Sequence, residues 1–269
     1  MTVAVVVKVF DGLVLAADSA TTLRMSSGEA QVYNHADKLF HLHRNLPIGA
    51  MTWGLGHIGA ASISTIAKDL RLEFMGDGER GLDPATYTVE EVAHKTRDWF
   101  HDLFAADFDG PAPAPLGLLV TGYSAGSKDS EGWLISLRDS NVKPEPQQVI
   151  RPDESGYIAY AQPEASDRLF GGIDRSLAAK LLALVPPERR NEAIGLVEEY
   201  ERSAVLAAMP FPDAIAFAKF LVDVTAGYAH FLPGPDTVGG KVDVAGINRH
   251  EGFKWISRKH YYPSELNPR

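Results

Sequence analysis

The chain has 269 residues, a formal charge of −9, 45% hydrophobic residues and 23% charged ones, the balance of an ordinary soluble globular protein. The acidic excess argues against nonspecific binding to nucleic acid or to anionic membranes, both of which need a basic surface. There is no cysteine, so disulfides, thiolate catalysis and thiolate metal sites are excluded, which suits a cytoplasmic location.

The opening "MTVAVVVKVF" has no basic region before it and is interrupted early by Lys8 and Asp11, so it reads as a buried strand rather than a signal peptide. "GLVLAAD", "KLFHLHR" and "IGAMTW" continue the strand pattern, with turns at Asp11-Gly12 and Asn45–Pro47. Residues 45–67 carry no Asp, Glu, Lys or Arg, but four glycines and several polar residues make a membrane helix a poor reading. A helix is expected over roughly residues 57–75, with Ile58, Ala61, Ile66 and Leu70 on one side. A second begins near Val89, where Thr88 and Glu91 make a capping box and Val92, Ala93, Thr96, Trp99, Phe100, Leu103 and Phe104 supply the inner face. The "PAPAP" stretch, Pro111–Pro115, reads as a loop.

Strands return in "LGLLVTGY", "GWLISLRD", "QQVIRP" and "YIAYAQ". Helices fit "RSLAAKLLALV" and "NEAIGLVEEYER". The helix "DAIAFAKFLVDVTAGYAHF" is apolar around most of its circumference, which predicts burial between layers. "GGKVDVAGINR" and "FKWIS" close the chain as strands. Strands in blocks and helices in blocks imply α+β layers rather than βαβ alternation, and a single domain over residues 1–269.

Two conspicuous motifs lack their context. "GYSAG" (122–126) fits the serine elbow of α/β-hydrolases, but a polar turn and another strand follow Ser124 where a helix is required, so a hairpin is expected. "GLGHIG" (54–59) fits a dinucleotide fingerprint, yet the second parallel strand with its ribose-binding acid is missing. His94, Asp98 and His101 share a helical face, the solvated one opposite the apolar stripe, which leaves no reason to place a metal there.

The quieter signal is Thr2. A small second residue is commonly exposed when the initiator methionine is removed. A terminal threonine then carries nucleophile and base together, since its α-amine, with a pKa of about 7.7–8.0, accepts a proton near neutrality. With "TVAVVVKVFDGLVLAADSATT", "ADKLFHL" and "GAMTWGLG", the sequence resembles the opening of proteasome β-subunits and their bacterial relatives, which are N-terminal-nucleophile hydrolases. "LLVTGYSAGSKDSEGWLISL" is similar to that family's central hairpin and "DTVGGKVDVAGINRHEGFKWI" to its terminal strands.

The resemblance implies a four-layer αββα sandwich and threonine-type hydrolysis of peptide or amide bonds, without a cofactor or metal. It implies Thr2 as nucleophile, Asp18, sixteen residues later, as partner of Lys38, and the Gly54 N–H as oxyanion donor. Asp236 and Thr237 stand for a supporting acid–hydroxyl pair. Thr22 would pair with substrate backbone, and Thr52 would line the pocket for the side chain preceding the cleaved bond. Self-association, a peptide or protein substrate and an unfoldase partner belong to the same implication. The competing expectation is a noncatalytic, proteasome-related scaffold or assembly subunit.

Overall fold

The computed structural model describes residues 2–24, 30–233 and 238–259. Strands β1 (Ala4–Val9), β2 (Gly12–Ala17), β3 (Thr21–Arg24), β4 (Ala30–Tyr33), β5 (Leu39–His41), β6 (Ile48–Gly54), β7 (His57–Ile58) and β8 (Ala61–Ser62) come first. Helices α1 (Ile63–Met75) and α2 (Val89–Asp107) follow, then strands β9 (Pro111–Tyr123), β10 (Ser130–Asp139), β11 (Gln147–Ile150) and β12 (Gly156–Tyr160). Helices α3 (Glu164–Phe170), α4 (Arg175–Leu184), α5 (Arg190–Tyr200) and α6 (Phe211–His230) lead into β13 (Asp243–Asn248) and β14 (Gly252–Ser257).

Two antiparallel five-stranded sheets stack face to face, ordered β12-β1-β2-β13-β14 and β11-β10-β9-β6-β5. Leu13, Leu15, Met51, Leu119 and Ile247 fill the space between them. Alternate residues of the same strands face outward. Ala50, Leu118 and Val120 meet Ile66, Leu70, Phe100 and Phe104 of α1 and α2, while Val5, Val7 and Ala16 meet Ala214, Ala218, Leu221 and Val222 of α6. Because β1 and β2 are covered on both faces, all their residues are buried, and they read as apolar runs broken only by Lys8. The expected αββα sandwich is the fold observed.

Three expectations need correction. The helix expected over 57–75 starts at Ile63: residues 57–62 form the short β7–β8 hairpin, turned at Gly59 with φ +56°, and Ser62 caps α1 by accepting from the Thr65 N–H. "PAPAP" is the first part of β9. Its prolines fall at every second residue on the exposed side while Ala112 and Ala114 pack against the α1–α2 layer, a period of two that suits an extended strand. Helix α6 is not enclosed between layers. It covers one sheet, while Phe220 remains 46% exposed on its outer side. The N-cap half of the box at Thr88 forms as expected, the hydroxyl accepting from Glu91 N at 3.0 Å, while the Glu91 carboxylate pairs with Lys95.

Candidate active site

The sixteen-residue interval between Thr2 and Asp18 is a consequence of hairpin register. β1 and β2 pair Ala4 with Ala17, and extending that ladder by one residue sets Val3 beside Asp18. Asp18 N donates to Val3 O at 3.3 Å, and Val3 N donates to Asp18 Oδ1 at 3.0 Å. The carboxylate is thereby fixed one residue from Thr2, which is 5% exposed at the head of β1.

Lys38 enters from the other sheet, just ahead of β5, where its carbonyl accepts from Thr52 N. Its ammonium donates to Asp18 Oδ1 at 2.6 Å, with both side chains buried. Ala20 N and Gly239 N donate to Asp18 Oδ2 at 3.0 and 3.1 Å, so the carboxylate collects four donors. Burial pushes the Lys38 pKa below the usual lysine value, and the Asp18 charge and hydrogen bond oppose that shift. Paired in this way, a buried lysine can remain charged yet give up its proton more readily than one at the surface.

Gly54 ends β6 with φ +86°, and a Cβ there would lie 2.0 Å from the Pro115 carbonyl oxygen, so only glycine fits. Gly56 lets Thr21 Oγ1 approach, since a Cβ would stand 2.8 Å from it. Two glycines of "GLGHIG", Gly54 and Gly56, thus serve close packing, and Gly59 serves the β7–β8 turn. Thr52 is buried, its hydroxyl donating to Gly117 O at 3.0 Å. Thr22 sits opposite Val32 in the β3–β4 ladder. A cavity of about 770 Å³ lies beside these strands, its walls including Thr21, Ala36, Asp37, Gly56, Ser64 and Lys68. Its lining takes Thr21 and Leu23 from β3 rather than Thr22, and nothing from Thr52. Asp236 and Thr237 lie outside the described residues.

One non-glycine residue among those described has positive φ: Ala161, at +70°. It follows Tyr160, which pairs with Ala4 near the head of β1, so backbone strain sits alongside the Thr2 segment. Ser124 lies in the β9–β10 connection, donating to Glu131 Oε1 at 2.6 Å and accepting from Val89 N at 2.9 Å. It braces the start of α2 and heads no helix of its own, as the hairpin reading expects. On α2, Asp98 pairs with Arg97 and Lys143, and no cluster of acids and histidines fit for a metal occurs among the described residues.

Sequence reasoning missed a second buried ion pair behind the first. Lys259, after β14, pairs with Asp243 of β13, donates to Ser19 Oγ at 2.9 Å and lies 3.5 Å from Asp37 Oδ1. The one legible signal was an aspartate inside the otherwise apolar run "VDVAGI". Nothing in the sequence marks Lys259 apart from other lysines.

No family model matches the sequence, and no curated protein does. Among solved structures, the chain is similar to an Anbu (Gly-1) mutant from Hyphomicrobium sp. strain MC1, with a TM-score of 0.57 and 14% identity over 99% of this chain and 92% of that one. At that identity the likeness shows the fold alone.

Proposed function

We propose that this chain is a threonine-type hydrolase of peptide or amide bonds, acting as one domain and activated by removal of Met1. The observation that supports the reading is the buried Lys38–Asp18 pair, whose carboxylate accepts from the N–H of Val3, the residue next to Thr2. With Met1 attached, the nitrogen of Thr2 is an amide and cannot serve as a base. Without Met1 it is an amine, able to take the hydroxyl proton as Oγ attacks the substrate carbonyl. Lys38, its pKa lowered by burial and held charged by Asp18, favours the ionising hydroxyl electrostatically. The oxyanion points to the Gly54 N–H. The C–N bond breaks, the departing amine takes the proton, and water hydrolyses the Thr2 ester. The cavity beside Asp37 takes the substrate side chain.

Intact-mass analysis followed by a threonine-directed electrophile tests this. Protein lacking Met1 should gain one adduct, at Thr2, and Thr2→Ala should gain none. Met1-free protein that stays unlabelled and cuts no peptide would sink the enzyme and favour the scaffold. The scaffold reading draws on one observation: Thr2 is only 5% exposed.

A further inference from the structure

Lys259 is 5% exposed, an expensive place for an ammonium unless it is fully paired. Its partners come from three separate parts of the fold. Asp243 on β13 supplies the ion pair and also accepts from Lys259 N at 3.0 Å. Ser19 and Asp37 are the other two, and their places in the chain matter. Ser19 is the residue after Asp18, and Asp37 is the residue before Lys38. One buried charge therefore holds the chain neighbour of each member of the Asp18–Lys38 pair. Ser19 is further fixed by donating to Lys241 O, and Asp37 by Ser64 Oγ at 3.1 Å and Lys68 at 3.8 Å.

We propose that Lys259 is a positioning residue, clamping Ser19 and Asp37 so that Asp18 and Lys38 meet in register, with Asp243 as its counter-charge. The proposal rests on reading Asp18–Lys38 as the catalytic pair. The clamp joins the loop after β2 in one sheet to the loop before β5 in the other, so it governs how the two sheets present their halves of the site. It also sets local charge. Lys38 is faced by Asp18, Asp243 and Lys259, and the Lys259 charge favours deprotonation of Lys38.

The test compares Lys259→Met and the double variant Lys259→Met/Asp243→Asn with the parent chain, all freed of Met1. The double variant removes the carboxylate that the single variant orphans, and so keeps a folded comparison if the single one fails. Two readouts are needed: the pH titration of Lys38 by NMR of selectively labelled lysines, and the pH profile of Thr2 labelling by the electrophile. Positioning predicts that labelling slows by about ten-fold or more in the folded variants, as small misplacements do. It also predicts that Lys38 titrates at higher pH in Lys259→Met. Labelling rate, its pH profile and Lys38 titration all equal to the parent's would overturn the proposal. If the parent itself is never labelled, the hydrolase reading fails separately. The double variant, whose two lost charges act on Lys38 in opposite directions, then decides: a displaced Lys38 midpoint there supports the clamp and an unchanged one overturns it.

Discussion

Asp18 and Lys38 depend on each other unequally. Asp18 keeps three backbone donors if Lys38 is lost, whereas Lys38 has the Asp18 carboxylate as its acceptor. Asp18→Ala should therefore cost about 3–5 kcal/mol by stranding a buried ammonium, and Lys38→Met clearly less, about 1 kcal/mol. Urea unfolding with unchanged m-values would check the order, and equal losses would contradict it. The spacing of Thr2 and Asp18 was legible through the family resemblance, and hairpin register is the local physics behind it. That Lys38 reaches Asp18 was not, since it requires two sheets to stack.

His41 offers a pH-dependent test at the same scale. Its ring stacks on Phe253 across the two sheets at 4.4 Å, and burial lowers its pKa from 6.5 to about 4. The fold thus favours the neutral ring. Between pH 4 and 6.5 the unfolded chain binds more protons, so stability rises with pH there. The His41 contribution is complete above pH 6.5 and is lost as pH falls towards 4. Discounted for partial exposure, it amounts to about 2 kcal/mol. His41→Phe keeps a ring against Phe253 and removes the titration. Its urea-derived stability should be flatter over that window than the parent's, and parallel curves would refute the assignment.

At the scale of elements, local chemistry set the helix starts. The Thr88 cap was readable from the sequence, and Thr88→Ala should cost about 1 kcal/mol while leaving Thr2 labelling unchanged. The start of α1 at Ile63 was missed because "HIGAAS" carries apolar residues at helical spacing, while the β7–β8 hairpin depends on Gly59 N donating to Asp107 Oδ2 at 2.8 Å, from the far end of α2. Gly54 joins element to site. Gly54→Ala forces a Cβ onto Pro115 O at a φ that disfavours side chains, costing about 1–3 kcal/mol. It should also abolish labelling by displacing the N–H proposed as oxyanion donor. Labelling at the parent's rate would remove Gly54 from that role.

For the whole molecule, the α4–α5 segment stands out. Neither helix has a fully buried residue, and Leu177, Leu181, Leu184, Ile194, Leu196 and Tyr200 are all exposed. A surface of that kind favours association. Sedimentation velocity should show species heavier than a 29.2 kDa monomer, weakened in the double variant Leu181→Glu/Leu184→Glu. A monomer at every concentration would refute self-association. Among the described residues no helix is long and apolar enough to cross a membrane.

By itself the sequence determined what local physics controls: strands from apolar runs, α2 from its cap and stripe, the β1–β2 register that brings Asp18 to Thr2, and the failure of "GYSAG" to open a helix. The tertiary structure alone decided what depends on distant partners. Residues 111–115 became strand held at both ends by β10, with Pro111 opposite Asp139 and Leu116 opposite Leu137, and α6 kept an open side where Phe220 stays exposed. Lys259 joined the site because β13 and β14 close the sheet next to β2, bringing Asp243 to the loop that carries Ser19. A lysine near the end of a chain looks like any surface charge until packing removes its water, and only the fold specifies which carboxylates then surround it.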